Sequence, residues 1–302
     1  MEFERRKVGL IVLNWNGQEV LPLCLASLEQ AADQSGHEVS LLVVDNASGD
    51  GSPEWVRRER PRWELLGLDR NLGFAGGMNR GLEILLGRNL DYLCVLNNDI
   101  EADIALIDPL VADLAAAARR GAVSPRIHYH EPREWIWYGG GKLGRLTRVA
   151  RHEGIRQKAA GRWLEPADTG YLTGCCIMGR AEFWRQTGGF DEAFGLYAED
   201  VDLSLRARAL GWTLRYQPAA LLYHRIGFAS GGHLSPAKLR AQRRAVCRLV
   251  RRHVPLGLRP LAYLGWAGQV ARGGGAALLR GERGVFVSLL RSLGAGGPRS
   301  VA

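Results

Sequence analysis

The chain has 302 residues, of which 46% are hydrophobic and 24% are charged, and its net charge is +9. These values are ordinary for a soluble globular protein and exclude a disordered chain, which lacks the apolar residues for a core. No stretch reaches the roughly 18 uncharged apolar residues that a membrane-spanning helix needs, so no transmembrane segment is expected.

The cysteines and the first residues predict the compartment. The five cysteines form no C-x-x-C pair, which argues against structural zinc and fits a reducing environment. The first 17 residues, MEFERRKVGLIVLNWNG, have a short apolar run and no small-residue cleavage pattern. They therefore predict a strand instead of a signal peptide, and we expect a cytoplasmic protein.

Strands, loops and helices alternate through the first hundred residues. Short aliphatic runs predict buried strands, and residues at helical spacing predict helices between them. The predicted strands are 8–13, 39–44, 63–68 and 92–96, and the predicted helices are 19–31, 53–59 and 80–87. Continuously apolar strands that alternate with helices predict an α/β fold with a mainly parallel sheet flanked by helices.

Polar clusters follow three of these strands. The clusters are Asn14-Trp15-Asn16, Asp45-Asn46 and Asn97-Asn98-Asp99. Ligands on open α/β sheets bind beyond the carboxyl ends of the strands, so the clusters outline a site there. Read by itself, Asp99 is also a common turn residue. A strand-end carboxylate nevertheless suits a divalent cation on a nucleotide diphosphate, which takes only one or two protein ligands.

The second half of the chain begins less regularly. Residues 123–163 are rich in Trp, His and Gly and predict an irregular segment over the same sheet edge. A strand-like run at 171–178, a short helix at 181–187, a helix with an acidic start at 198–210 and a last strand at 212–223 follow. The aromatic residues Trp135, Trp137 and Tyr138 suit a sugar or a local core equally well and are not assigned to the site.

Two residues of this half have both a structural and a chemical interpretation. Asp200 lies at a helix start, where acids favour the helix dipole, but it can also accept a proton from a hydroxyl nucleophile. His224 is either a satisfied structural histidine or a cation ligand. Arg225 and the loop at 227–231 offer cationic and N–H groups that suit phosphates.

Seven ordered segments resemble the inverting glycosyltransferases of family 2, which have the GT-A fold, and within them the rhamnosyltransferase-like group. The segments are VGLIVLNWNG, LLVVDNASGDGS, NLGFAGGMNRG, VLNNDI, TGCCIMGRAEFWRQTGGFDEAF, AEDVDLSLRARALGW and YHRIGFASG. Each is weak alone, but the ordered set is specific and covers residues 8–230, about three-quarters of the chain. The resemblance implies a GT-A (Rossmann-like) domain at 1–230, followed by a basic, amphipathic helical extension at 231–302.

The resemblance also implies roles for individual residues. Asp200 corresponds to the catalytic base, and Asp99 and His224 correspond to contacts of a divalent cation, Mg²⁺ or Mn²⁺. The residues implied to bind the donor nucleotide sugar are Asn14, Asp45, Asn71, Asn79, Asn97 and Asn98. Asn97 departs from the family pattern, because many relatives carry an acid there and an amide attracts a cation less.

The implied activity is transfer of a sugar from a nucleoside-diphosphate donor to a hydroxyl of a glycan or polyprenyl-linked acceptor, in cell-surface polysaccharide synthesis. Rhamnose is the family-level expectation for the sugar. A cation neutralises the leaving diphosphate, so one Asp base suffices for a single displacement with inversion.

The C-terminal part of the chain holds most of the positive charge. From Arg225 to Ala302 there are 14 Arg and Lys against one acid, Glu282. Basic residues flank apolar and aromatic stretches there. This pattern predicts either a solvated helical appendage or a helix on anionic lipid, which would place the protein on the inner face of the cell membrane.

Three other classes of protein fit parts of the sequence. A non-enzymatic nucleic-acid-binding protein would explain the basic tail, but no RNA-binding motif occurs, and we expect no nucleic-acid partner. A dinucleotide-dependent enzyme needs G-x-G-x-x-G after the first strand, where this chain has Asn-Trp-Asn-Gly. A nucleotidyltransferase on a similar fold would typically have a basic, glycine-rich loop there, and it would release pyrophosphate instead of a nucleoside diphosphate.

Overall fold

The computed structural model describes residues 4–145, 148–195, 197–226 and 236–279. Within these ranges the strands are β1 (Lys7–Asn14), β2 (Glu38–Asp45), β3 (Glu64–Gly67), β4 (Tyr92–Asn97), β5 (Ile100–Ala102), β6 (Arg120–Tyr129), β7 (Ile136–Tyr138), β8 (Gly141–Leu143), β9 (Ala150–His152), β10 (Ala167–Asp168), β11 (Cys176–Arg180) and β12 (Thr213–His224). The helices are α1 (Leu21–Gln34), α2 (Ser52–Glu59), α3 (Gly73–Leu86), α4 (Ile107–Ala115), α5 (Ala181–Thr187), α6 (Glu199–Ala209), α7 (Pro236–His253) and α8 (Arg259–Leu279). Short 3₁₀ turns occur at Gly161–Leu164, Glu192–Phe194 and Leu256–Leu258.

One mixed sheet of ten strands forms the centre of the fold. Its main path is β10-β12-β6-β11-β4-β1-β2-β3, with β5 beside β12 and β7 beside β6. The half formed by β4, β1, β2 and β3 is parallel, whereas β11 runs antiparallel between β4 and β6. The predicted α/β fold is therefore confirmed.

The register of the parallel half aligns the polar strand ends. Asn14 on β1 lies opposite Asp45 on β2, and Leu13 lies opposite Asn97 on β4. On the other side, His224 at the end of β12 lies opposite Ile100 of β5. The strand-end clusters therefore meet at one edge, as their positions in the sequence predicted.

Two apolar cores lie on opposite faces of the sheet. Along β1, the side chains of Leu10 and Val12 enter one core, and that of Ile11 enters the other. The first core also contains α1 and α4, and the second contains α3 and α5. Strands buried on both faces explain why their sequences are continuously apolar.

Helix α3 begins at Gly73, seven residues before the predicted start at 80. The segment NLGFAGGMNRG has the composition of a loop, but its glycines allow the helix to lie against the sheet. A Cβ at Gly77 would lie 2.4 Å from Leu13 Cδ1, and one at Gly81 would lie 2.6 Å from Ile11 Cγ2. Close packing therefore overrides the low helix propensity of glycine here.

The segment predicted to be irregular contains the long strand β6. This strand pairs with both β11 and β12 inside the sheet. Pro125 interrupts the apolar run of β6 and lies opposite Gln217 of β12. The register of this pairing shifts between Gln217 and Leu221. Proline occurs inside a sheet only where a bulge or an edge accommodates it, so Pro125 argued against a strand at this place in the sequence.

The described part of the C-terminal extension packs on the rest of the protein. Ala245 and Leu249 of α7 are buried in a cluster with Tyr171, Phe194 and Val201. Helices α7 and α8 pack against each other through a further small apolar cluster. None of the helices in the described ranges is both long enough and apolar enough to cross a bilayer.

Candidate active site

A cavity of about 880 Å³ lies beyond the carboxyl ends of β1, β2 and β4, within the size range of small-molecule sites. Its wall consists of Leu13, Trp15, Asn46, Asn71, Gly73, Phe74, Asn97, Asn98, Asp99, Ala193, Phe194, Gly195, Tyr197, His224, Ile226, Ala241, Gln242, Arg244 and Arg248. The predicted site residues Asn71, Asn97, Asn98, Asp99 and His224 are thus brought together.

Asn14 and Asp45 lie beneath this wall and join the strand ends. The Asn14 amide donates to Asp45 Oδ1 (2.9 Å) and to Ser52 Oγ (2.8 Å), and Asn98 Nδ2 donates to Asn14 Oδ1 (2.8 Å). Asp45 Oδ2 accepts a further bond from the N–H of Ser48. Asn14 and Asp45 are nearly fully buried and do not line the cavity, so their direct contact with a nucleotide stays a prediction.

Asn46, which the sequence interpretation did not assign to the site, links β2 to the start of α3. Its Nδ2 donates to Asn71 Oδ1 and to Gly73 O, each at 3.0 Å, and its Oδ1 accepts from the N–H of Leu72 at 2.8 Å. Gly73 has a φ of +74°, a conformation that glycine adopts without strain. Asn46 therefore fixes the wall that carries Asn71.

Asn79 lies on α3 and is hydrogen-bonded to the backbone of Phe190. Its Nδ2 donates to Phe190 O at 2.8 Å, and its Oδ1 accepts from the N–H of Phe190 at 2.9 Å. It does not line the cavity. Asn79 instead holds the chain at Phe190, just before the lining residues Ala193, Phe194 and Gly195, and its contact with a donor stays a prediction.

Asp99 and His224 form a buried pair in the cavity wall. Asp99 Oδ1 and His224 Nε2 are 3.1 Å apart, and the two residues are 6% and 7% exposed. The Trp137 ring packs edge-on against the imidazole, with a centroid distance of 4.5 Å. Burial disfavours the imidazolium, but Cys175 and the Asp99 carboxylate outweigh it and raise the pKa of His224 to about 10.

The geometry of this pair fits a shared divalent cation. Neighbouring ligands of an octahedral ion at about 2.1 Å are about 3.0 Å apart, close to the separation of Asp99 Oδ1 and His224 Nε2. No group of three or more His, Cys, Asp and Glu side chains in the described ranges is placed to hold a metal. Two protein ligands leave the other positions to phosphate oxygens and water, as is usual for Mg²⁺. Binding of a cation would displace the proton of the His224 imidazolium.

Asp200 lies in the first turn of α6, near the cavity-lining residue Phe74. Its Oδ2 accepts from the N–H of Gly174 at 3.0 Å, and its Oδ1 accepts from the N–H of Val201 at 2.7 Å. A Cβ built on Gly174 would lie 3.1 Å from Phe74 Cζ and 3.8 Å from Asp200 Cβ. Asp200 is therefore close to the lining residue Phe74 but does not itself line the cavity.

The environment of Asp200 makes it a stronger base than an exposed aspartate. Burial raises the pKa of Asp200. The backbone N–H groups of Gly174 and Val201 stabilise the ionised carboxylate and partly offset this rise. The neighbouring Glu199 is buried, and burial together with the Asp200 charge raises the pKa of Glu199 to about 8. Near neutral pH this arrangement favours a proton on Glu199.

The segment Gly174-Cys175 connects these two parts of the site. The N–H of Gly174 binds Asp200, and the Cys175 side chain interacts with His224. The N–H of Asn97 also donates to Cys175 O at 3.1 Å. The segment therefore connects Asp200 to the Asp99–His224 pair and to the end of β4.

Sequence reasoning missed several residues of the wall. Trp15 is 46% exposed at the cavity, and its position inside the Asn-Trp-Asn cluster was the available signal. Trp137 was left unassigned, but it packs on His224. Arg244 and Arg248 were counted only as part of a basic tail. The loop at 227–231, expected to bind phosphate, lies outside the described residues, as does the predicted domain boundary.

The chain is similar to several known proteins. The family model described as glycosyl transferase family 2 matches residues 10–187. The N-acetylglucosaminyl-diphospho-decaprenol L-rhamnosyltransferase of Mycobacterium tuberculosis is 30% identical over 231 residues, which are 68% of this chain and 72% of that protein. The succinoglycan biosynthesis protein ExoO of Rhizobium meliloti is 27% identical over 72% of this chain and 60% of its own.

Solved structures show the same architecture. GalNAc-T7 with UDP, GalNAc and Mn²⁺ superposes with a TM-score of 0.62 and 16% identity, over 83% of this chain and 48% of its own. Residues 1–349 of S. aureus TarS superpose with a TM-score of 0.52 and 14% identity, over 87% of this chain and 79% of that one. At these identities the likeness shows the fold alone, and it is the predicted GT-A fold.

Proposed function

The chain belongs to glycosyl transferase family 2 and is a glycosyltransferase, and on this premise we propose that it transfers a sugar with inversion from a nucleoside-diphosphate donor. The family predicted from the seven segments is confirmed. The observation that carries the finer proposal is a cation-compatible pair in the cavity wall, Asp99 and His224, connected through the segment Gly174-Cys175 to the carboxylate of Asp200.

In the proposed reaction the protein binds the donor diphosphate beside Asp99 and His224. Asp99 and His224 would hold a divalent cation, which would neutralise charge on the leaving diphosphate. Asp200 accepts the proton of the acceptor hydroxyl as its oxygen bonds to the anomeric carbon and the bond from that carbon to the diphosphate oxygen breaks. Attack from the face opposite the leaving group gives inversion, and no acid is needed to protonate the nucleoside diphosphate.

The names of similar proteins support a proposal for the substrates. The name of the mycobacterial relative specifies L-rhamnosyl transfer to a diphospho-decaprenol-linked sugar, and ExoO is a polysaccharide biosynthesis protein by name. We propose a rhamnosyl donor and a prenyl-diphosphate-linked or glycan acceptor for this chain, within polysaccharide synthesis. The exposed ring of Trp15 is suited to stack on the nucleotide base.

A release assay tests the proposed reaction. The purified protein is incubated with Mg²⁺ or Mn²⁺, prenyl-diphosphate N-acetylglucosamine and, in turn, dTDP-rhamnose, UDP-sugars and GDP-sugars. We expect release of a nucleoside diphosphate that depends on the acceptor and is fastest with dTDP-rhamnose. Release of pyrophosphate would instead indicate nucleotidyl transfer, and no release from any sugar nucleotide would refute the proposal.

We also propose that the C-terminal extension contacts an anionic membrane on its cytoplasmic face. Leu256 is 75% exposed, and Leu261 and Leu264 at the start of α8 are 46% and 69% exposed. Arg259 lies between them in the sequence. Exposed leucines beside basic residues are typical of a helix at the lipid interface.

Vesicle sedimentation tests this contact. At low salt we expect the protein to sediment with phosphatidylglycerol vesicles and not with phosphatidylcholine vesicles, and we expect Leu256→Ser with Leu264→Ser to reduce binding about tenfold, since each leucine buries apolar area worth over 1 kcal/mol. Leu210→Ser is the control, because Leu210 is 47% exposed on another part of the protein. Equal sedimentation of all three proteins would contradict the role of these leucines, and no binding to anionic vesicles would contradict the contact itself.

A further inference from the structure

Two arginines of α7 lie on the wall of the substrate cavity. Arg244 and Arg248 are one helical turn apart, so their side chains leave the same face of the helix. Both are exposed, and both belong to the cavity lining together with Ala241 and Gln242 of the same helix. The extension predicted as a separate tail thus contributes to the substrate-binding cavity.

No acidic side chain in the described ranges forms an ion pair with Arg244 or Arg248. Among the residues that the structure describes, neither arginine has a hydrogen bond or an ion pair, and the guanidinium carbon of Arg248 lies 5.9 Å from the centroid of the Phe194 ring. Asp99 is the one carboxylate among the described lining residues, and it is paired with His224. Two guanidinium groups facing one paired carboxylate favour an anionic ligand.

Other contacts hold α7 in place, so the two arginines are not needed to dock it. Arg252 forms an ion pair with Asp191, and His253 Nε2 lies 2.7 Å from Asp202 Oδ1. Ala245 and Leu249 are buried in the apolar cluster beneath the helix. The helix is therefore anchored by ion pairs and apolar contacts that involve neither Arg244 nor Arg248.

We propose that Arg244 and Arg248 form a phosphate-binding subsite for a diphosphate group of a substrate. The inference rests on the proposed function, which supplies two sources of that group, the donor nucleotide and a prenyl-diphosphate acceptor. Guanidinium groups bind phosphate oxygens through paired, charge-assisted hydrogen bonds, for which Arg is better suited than Lys. The basic extension then acts in substrate binding as well as at a membrane.

Binding of two probes tests the subsite and identifies its source. Calorimetry measures the affinity of dTDP and, separately, of farnesyl diphosphate for the unchanged protein, for Arg244→Gln with Arg248→Gln, and for the control Arg251→Gln. Arg251 is exposed on α7 but does not line the cavity. We expect the double variant to lose at least about tenfold affinity for one probe, since each charged hydrogen bond contributes substantially, and the control to stay within about twofold.

The probe whose affinity falls identifies the substrate that the subsite binds. Loss for dTDP places the donor diphosphate there, and loss for farnesyl diphosphate places the acceptor diphosphate there. Unchanged affinity for both probes would overturn the proposal, as would an equal loss in Arg251→Gln. Equal thermal unfolding midpoints of the three proteins show that α7 remains docked.

The binding test is independent of turnover, so its failure is distinguishable from failure of the proposed function. If the unchanged protein transfers sugar and the double variant binds both probes normally, the subsite is refuted and the function stands. If the unchanged protein releases no nucleoside diphosphate from any sugar nucleotide but the double variant still loses probe affinity, the function is refuted and the anion subsite stands.

Discussion

Replacing Asp200 by Asn is expected to abolish sugar transfer and to leave nucleoside-diphosphate affinity nearly unchanged. The amide cannot take the proton of the acceptor hydroxyl, and loss of a general base commonly lowers the rate about a hundredfold to ten-thousandfold. Asp200 is bonded to backbone N–H groups of Gly174 and Val201 and lies outside the cavity lining, so nucleotide contacts should persist. Turnover is measured by nucleoside-diphosphate release, and affinity by calorimetry.

Glu182→Gln on α5 is the matched control for this variant, because it makes the same change from a carboxylate to an amide. Unlike Asp200, Glu182 is exposed and lies away from the cavity. It should retain full turnover. The raised pKa of Asp200 adds a second readout. Because the base acts when ionised, the turnover number of the unchanged protein should rise with pH through a value above the usual range of an aspartate. Near-normal turnover of Asp200→Asn would refute its role.

Replacing Asp99 by Ala is expected to lower turnover by at least about a hundredfold, because a cation at a developing phosphate charge contributes several kcal/mol to the transition state. The substitution also removes the partner of the His224 imidazole at 3.1 Å and leaves that buried side chain without its carboxylate. A chelator should have a similar effect on the unchanged protein, and added Mg²⁺ or Mn²⁺ should restore it.

The chelator supplies an internal control for the Asp99 variant. If Asp99 acts through the cation, the chelator should lower turnover of the unchanged protein and have little further effect on Asp99→Ala. Full turnover of the unchanged protein in chelator would show that the ion is dispensable. A chelator effect of equal size in both proteins would place the ion away from Asp99.

The sheet edge was predictable because both of its determinants are local in sequence. Aliphatic runs predict buried strands, and parallel strands necessarily end at the same edge. The location of Asn97, Asn98 and Asp99 at this edge could therefore be predicted without knowledge of the packing. The early start of α3 and the strand β6 were not predictable, because the glycines of α3 and Pro125 of β6 are explained only by the surfaces that they contact.

The roles of individual amides were harder to predict than their positions. Asn14 and Asn71 both lie near the ends of predicted strands. The amide of Asn14 is hydrogen-bonded to Asp45, Ser52 and Asn98, whereas Asn71 lines the cavity. An amide that joins two strands and one that faces a ligand have the same sequence signature. Only the three-dimensional contacts separate them.

The charge of the C-terminal extension shows a similar limit. Composition reveals an excess of arginine but not which arginines face which surface. The acids that orient α7, Asp191 and Asp202, lie more than 30 residues before it in the sequence. A helical pattern alone therefore could not place Arg244 and Arg248 at the cavity.

The anomeric configuration of the transferred sugar tests the central claim most directly. The product of the release assay is isolated, and its configuration at the anomeric carbon is compared with that of the donor by NMR. We expect the opposite configuration, formed together with one nucleoside diphosphate per sugar transferred, because Asp200 deprotonates an acceptor that attacks in a single displacement. Retention of the donor configuration would contradict this mechanism.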